Sequence, residues 1–163
     1  PQAAIRNLYK DKFNMLCETH KTRPELLERA RSIFTNLGMQ LREIEPIAHD
    51  RHIAYVSHLS HITSFMLGKT VMEKEEDEQN IFDMAGSGFS STVRLAKSSP
   101  EMWMPIFKQN KHNVIETLDE YISNMEYFKS LLANDDYTTL VEEMKKINTI
   151  THILKPETKT NGK

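Results

Sequence analysis

The residues best suited to chemistry are gathered in one stretch, His49 to His61, which reads His-Asp-Arg-His-Ile-Ala-Tyr-Val-Ser-His-Leu-Ser-His. It contains four of the seven histidines, an aspartate and two serines. The pairs His49/His52 and His58/His61 have i, i+3 spacing, which could bring two imidazoles to one metal ion. On a helix, however, the two pairs lie on opposite sides, and neither has a Glu-x-x-His companion or a cysteine beside it. No residue is therefore assigned as a metal ligand.

Placed on a helical wheel of roughly 100° per residue, Asp50, Ala54, Ser57, His61, Ser64 and Gly68 share one narrow face that is small and polar. Ala48, Tyr55, Leu59, Ile62 and Met66 occupy another face, and Ile53, Val56, Phe65 and Leu67 fill positions between them. A helix apolar on most sides is normally enclosed by others. Its polar groups then need partners, because an unpaired buried one costs about 1 to 3 kcal/mol. Two readings fit this stretch: a core helix whose histidines and serines bond to neighbouring helices, or a wall of a ligand site.

A second constellation lies downstream. Ala85-Gly86-Ser87-Gly88-Phe89 carries two glycines, Arg94 follows Gly88 by six residues, and Trp103 follows Arg94 by nine. An arginine beside a small-residue loop can present its planar fork to a carboxylate, and a nearby tryptophan can exclude water. Singly, each also fits a structural role, the arginine at a helix end and the tryptophan in the core.

The elements that must position these residues follow from periodicity and capping signals. Phe13, Met15 and Cys17 alternate and predict a short strand. Thr22-Arg23-Pro24-Glu25 starts a helix with face residues Leu26, Leu27, Ala30, Ile33, Phe34 and Leu37, which Gly38 ends. Met39, Leu41 and Glu43 to Ile44 predict a second strand, so residues 13–44 have the length of a βαβ crossover with parallel strands. After Pro46 the pattern is helical. The histidine-bearing helix is expected to continue to about Met72 and to end in the acidic run Glu73 to Glu78, read as solvated surface and as favourable charge at the N-terminus of a following short helix. The glycines at 86 and 88 are expected to break the next helix. Ser99-Pro100-Glu101 starts another, which Pro105 should kink or restart. Positions 107, 111, 114, 118, 121, 125, 128 and 132 form one packing stripe, apolar except for Lys111. Asn134-Asp135-Asp136 turns the chain into a last helix reaching Leu154.

The composition excludes several classes. The 163 residues are 39% hydrophobic and 27% charged, typical of a globular chain, and a net charge of -2 gives no argument for nucleic acid. No apolar run has the length of a membrane span, and residues 1–12 lack the core of a signal peptide. The single cysteine, Cys17, allows no intrachain disulfide, so a cytosolic location is expected. Neither common phosphate-binding glycine loop is present.

Together, the stretches resemble the C-terminal part of prephenate dehydrogenase. The matching residues are the His-Asp-x-x-x-Ala-x-x-Ser-His-Leu-x-His pattern at 49–61, Ala-Gly-x-Gly-Phe at 85–89, then Arg94, Ala96, Ser98, Pro100, Met102-Trp103, Ile106 and Asn110. Ser91 and Pro105 depart from the family, which usually has acidic residues near those places. The resemblance implies a mainly α fold: a helical dimerisation domain like the C-terminal domain of 6-phosphogluconate dehydrogenase, preceded by a short βαβ remnant of a Rossmann-type domain. Residues 1–45 would end the nucleotide-binding domain, 46–154 would form the helical domain, and 155–163 a disordered tail.

The family oxidatively decarboxylates prephenate to 4-hydroxyphenylpyruvate in tyrosine biosynthesis, using NAD or NADP. The resemblance implies that Arg94 grips the ring carboxylate while His61, Trp103, Ser57, Gly86 and Ser87 line the pocket. The catalytic base, a histidine of the family's Rossmann domain, would lie upstream of Pro1. The expected partners are a second copy of the chain, prephenate, tyrosine as a further ligand, and an N-terminal Rossmann domain. No cofactor and no metal would be held by this chain alone. Two other classes compete: a non-enzymatic dimerising or tyrosine-sensing helical module, and a helical His-Asp metal phosphohydrolase using His112 and His152 as further ligands.

Overall fold

The computed structural model describes Ile5 and residues 7–154. The expected tail at 155–163 lies outside the described residues. The chain divides into two compact units, Pro1–Thr117 and Leu118–Lys163.

In the first unit, strand β1 (Phe13–Leu16), helix α1 (Pro24–Asn36) and strand β2 (Gln40–Glu43) follow in order. The strands pair in parallel, with Phe13 opposite Gln40 and Leu16 opposite Glu43, as the crossover length predicts. Pro24 fits the first turn of α1, where its missing N–H removes no helical bond. Gly38 ends the helix region at φ +79°, a conformation that suits glycine. Its carbonyl accepts from the Asp11 N–H at 2.8 Å, and a Cβ there would stand 3.4 Å from the Lys10 backbone. Arg31 pairs with Glu43, tying α1 to the end of β2.

Helix α2 (Pro46–Ile53) runs without interruption into a π-helical segment (Ala54–His58) and then into α3 (Leu59–Glu78). Within the segment the Leu59 N–H donates to the Ala54 carbonyl, five residues back instead of four. Ala54, at the start of the segment, is fully buried. The π segment inserts a residue into the helical repeat, so a wheel drawn at one fixed angle does not describe both ends of this helix.

The helix ends in the acidic run as expected, although helical turns continue past Met72 to the last residue of that run, Glu78. Pairing of Lys69 with Glu73 and of Lys74 with Glu78 at i, i+4 supports the extra turns. Glu75 is not simply solvated: its carboxylate accepts from the backbone N–H groups of Asn80, Ile81 and Phe82 at 3.0, 2.6 and 3.1 Å. Those contacts hold a turn in which Gln79 and Asn80 take positive φ angles of 52° and 69°.

The expected break falls at Ala85 and Gly86, whose backbones are extended after the 3-10 turn Phe82–Met84, and a new helix starts directly behind it. Gly86 caps α4 (Ser87–Thr92), and Gly88 lies inside it. A 3-10 turn, Arg94–Lys97, then packs on α3. Helix α5 (Pro100–Gln109) starts with the Ser99 side chain accepting from the Met102 N–H, as expected, but it does not restart at Pro105. The missing N–H costs one bond to the first turn, and the buried Trp103 keeps the helix seated.

The single stripe from Phe107 to Leu132 is in fact divided. The chain breaks at Asn110 (φ −102°, ψ 26°), and α6 (Lys111–Ala133) begins there. The break is explained by the Asn110 side chain, which bonds to α2 and the π segment.

In the second unit, the remainder of α6 turns through Asn134-Asp135-Asp136 into α7 (Tyr137–Ile147). Asp135 takes φ 54°, and the Asp136 carboxylate caps α7 by accepting from the Thr139 N–H at 3.1 Å. Leu131 and Leu140 are buried, whereas Tyr121, Met125, Phe128 and Leu132 of α6 and Val141 and Met144 of α7 are exposed. The last helix ends at Ile147, short of the expected Leu154, and a 3-10 turn, Asn148–His152, follows. Among the described residues, no helix is long and apolar enough to cross a membrane.

Candidate functional site

The site is built where the π segment meets α5. His58 is 6% exposed, and its ring stands edge-on to Trp103 and Phe107, with centroids 5.9 and 6.2 Å away. Trp103 and Phe107 are four apart on α5, so they stack on one face, 5.3 Å between centroids. His61 lies against Trp103, with ring centroids 3.7 Å apart. The helix and α5 therefore meet through two imidazoles, an indole and a phenyl ring.

Asn110 closes the cluster. Its Nδ2 donates to the Asp50 carbonyl at 2.7 Å and lies 3.3 Å from His58 Nδ1, while its Oδ1 accepts from Asn113 Nδ2 at 2.6 Å. Both Nδ2 hydrogens and one lone pair of Oδ1 are engaged, in keeping with burial at 8% exposure. On the outer side of His58 an open cleft of about 210 Å³ is lined by His49, Asp50 and Asn110 among others. There His49 Nδ1 and Asp50 Oδ1 are 3.0 Å apart.

The two histidines of the cluster differ electrostatically. Burial, with the neighbouring His61 adding to it, holds the His58 imidazole below the usual histidine range, while Asp50 opposes the shift. His61 Nδ1 lies 3.0 Å from the Ser57 carbonyl, which can only accept. In neutral His61 the proton is thus on Nδ1, and Nε2 is an acceptor. The Trp103 Nε1–H is buried and has no acceptor among the described residues.

Of the residues singled out from sequence, His61 and Trp103 are brought together, and Ser57 joins them through its backbone carbonyl. Arg94, Gly86 and Ser87 lie exposed on the 3-10 turn and at the start of α4. Among the described residues, no hydrogen bond or ring contact joins them to His61 or Trp103, and Arg94 has no ion pair. They are related to the cluster through α3. Ser64, one turn beyond His61, donates from Oγ to the Thr92 carbonyl at 2.6 Å, two residues before Arg94. Gly68 brings α3 close to Ala96, where a Cβ would sit 3.9 Å from the alanine methyl. The lower part of the polar stripe is therefore a seat for the turn that carries Arg94.

Sequence reasoning passed over His58 and Asn110 as site residues. His58 was masked by the π segment, which no periodicity signals. Asn110 leaves no distinct trace in the sequence, because it lies inside the polar run Lys108 to Asn113. Among the described residues, no group of three or more His, Cys, Asp or Glu side chains is placed to hold a metal ion.

The fold and cluster define a helical domain joined to a parallel strand–helix–strand unit, with an imidazole–indole wall at its centre. The family model described as "Prephenate dehydrogenase, dimerization domain" matches residues 45–146, and the chain belongs to that family. It is 26% identical over 143 residues to the prephenate dehydrogenase of Bacillus subtilis strain 168, covering 88% of this chain and 38% of that protein. It is 23% identical over 146 residues to the cyclohexadienyl dehydrogenase of Zymomonas mobilis, covering 89% and 50%.

Among solved structures, prephenate dehydrogenase from A. aeolicus in complex with hydroxyphenyl propionate and NAD+ superposes with a TM-score of 0.86 at 29% identity, covering 94% of this chain and 54% of that one. Synechocystis arogenate dehydrogenase superposes at 0.77 with 27% identity, covering 90% and 54%. The chain thus spans about half the length, or less, of the relatives it matches. These relatives are dehydrogenases, and the mainly helical fold with a short parallel sheet agrees with the expectation from sequence.

Proposed function

We propose that this chain supplies the dimerisation and substrate-pocket part of a cytosolic NAD(P)-dependent prephenate dehydrogenase, which oxidises and decarboxylates prephenate to 4-hydroxyphenylpyruvate. Residues 1–45 end its nucleotide-binding domain and 46–154 form its helical domain. The observation that carries this reading is the contact of His61 with Trp103, one turn of α3 from the seat of the Arg94 turn. A flat aromatic wall suits a six-membered ring, and an exposed arginine without an ion pair suits its carboxylate.

In this reading Arg94 binds and orients the ring carboxylate, Trp103 and His61 exclude water from one face of the ring, and Gly86, Ser87 and Ser57 complete the lining. Tyrosine, which shares the hydroxyphenyl group of the product, is a second ligand of the same pocket. The described residues do not fit the nicotinamide cofactor: β1 leads into residues 17–23, which contain no glycine, before α1 begins. Cofactor binding and the proton-accepting base are therefore assigned to a domain outside the described residues, and this chain alone has no turnover.

The exposed apolar residues of α6 and α7 support a symmetric dimer, in which obligate interfaces commonly bury upwards of about 2,000 Å². The test has two arms. Hydroxyphenyl propionate titrated into the chain should alter Trp103 emission, and an enzyme containing this segment should reduce NAD only when prephenate is added. Reduction without prephenate, or an unchanged Trp103 signal at saturating ligand, overturns the reading.

A further inference from the structure

The Asn110 amide stands between two acceptors. The Asp50 backbone carbonyl can only accept, so the amide atom 2.7 Å from it must be the nitrogen. That choice also places Oδ1 on the Asn113 Nδ2 donor, and it leaves the second Nδ2 hydrogen for His58 Nδ1 at 3.3 Å. A donor facing Nδ1 requires a lone pair there. In a neutral imidazole the proton must then sit on Nε2.

The same amide crosses from the α5–α6 break to the last turn of α2, just ahead of the π segment. We propose that Asn110 is a positioning residue: it holds His58 in the neutral form protonated at Nε2 and pins the π segment, and so sets His61 against Trp103. The two neighbouring histidines thereby carry opposite tautomers, His58 with its proton on Nε2 and His61 with its proton on Nδ1. The titratable groups around His58 are His49 and Asp50 of α2 and His61 of α3, whereas α5 contributes the rings of Trp103 and Phe107 and, along the cleft, the uncharged Ile106 and Gln109. None of these supplies an acceptor that would draw the proton to Nδ1.

The significance of this for turnover rests on the pocket reading above, but the arrangement itself is tested without substrate. Proton–nitrogen spectra of the histidine rings in the 163-residue chain should show His58 bare at Nδ1 and protonated at Nε2, with His61 the reverse. Asn110→Asp replaces the donor by a carboxylate. It should move the His58 proton to Nδ1, raise its titration midpoint and change Trp103 emission. Asn110→Gln, which keeps the amide, should retain part of the native pattern.

A wild-type His58 protonated at Nδ1, or exchanging freely between both nitrogens, overturns the proposal, and so does a folded Asn110→Asp chain with an unaltered His58. If that variant does not fold, the wild-type spectrum alone decides. Failure of hydroxyphenyl propionate to bind, with the tautomers as stated, removes the pocket reading and leaves the Asn110 assignment standing.

Discussion

The imidazole of His61 lies across the indole of Trp103 with ring centroids 3.7 Å apart and planes inclined by 32°. His61 is on α3 and Trp103 on α5, so this one contact reports both helix packing and the state of the proposed ligand wall. Trp103 is the chain's single tryptophan, which makes its emission a specific signal.

His61→Ala should shift Trp103 emission and weaken hydroxyphenyl propionate binding, while His49→Ala should leave binding nearly unchanged. The reasoning is that His61 touches the wall, whereas His49 lines the cleft beyond His58. A larger loss of binding in a folded His49→Ala chain would move the pocket to that cleft.

In an enzyme containing this segment, Arg94→Gln should raise the KM for prephenate by about 10- to 100-fold, the effect of losing a hydrogen bond to a charged group. Cofactor affinity and Tm should hardly move, because Arg94 is exposed and makes no ion pair among the described residues. A fall in Tm comparable to that of a core mutation, with KM unaltered, would assign Arg94 to stability.

His58 makes stability depend on pH. Its folded pKa is lowered by burial, so the unfolded chain binds the proton more readily. The contribution is present above the unfolded histidine pKa, about 6.5, and is lost as pH falls through the lower folded value. Melting profiles should therefore show Tm dropping on acidification from neutral pH, by less in His58→Gln than in wild type. Parallel profiles would disprove the coupling.

Glu75→Ala should cost about 1 to 3 kcal/mol through the loss of acceptors for three N–H groups. Limited proteolysis should then cut first at residues 79–82. Glu75→Gln, which retains one acceptor oxygen, should be milder in both assays.

Sedimentation at micromolar concentration should give about twice the 19.0 kDa chain mass. Phe128→Lys combined with Met125→Lys should yield a folded monomer, because both side chains are exposed on α6. A wild-type monomer, or a dimer indifferent to those changes, would place the interface elsewhere or remove it. Separately, the chain alone should not reduce NAD in the presence of prephenate.

The sequence made the parallel crossover legible because strand alternation, Pro24 and Gly38 each carry a local steric reason. It also placed Trp103 and His61 in the same region, through the resemblance and not through periodicity. Features set by tertiary contacts were illegible. The span of α5 through Pro105 depends on the burial of Trp103, and the break at Asn110 depends on a carbonyl sixty residues away. The acidic run was legible as the end of α3, but charge alone does not show that lysine pairs carry the helix to its last residue.

The surplus residue of the π segment also makes the chain asymmetric toward insertion and deletion. A single π turn takes up one extra residue locally, so removing one residue from Ala54–His58 would restore the ordinary α repeat and leave Pro46–Ile53 at nearly the same angle around the axis relative to α3. The Asp50 carbonyl would stay beside Asn110, and what would be lost is the displaced backbone of the bulge that carries Ser57 and His58. A one-residue deletion within the bulge should therefore be better tolerated than one elsewhere in Pro46–Glu78, which would turn the two ends of the helix by about 100° relative to each other.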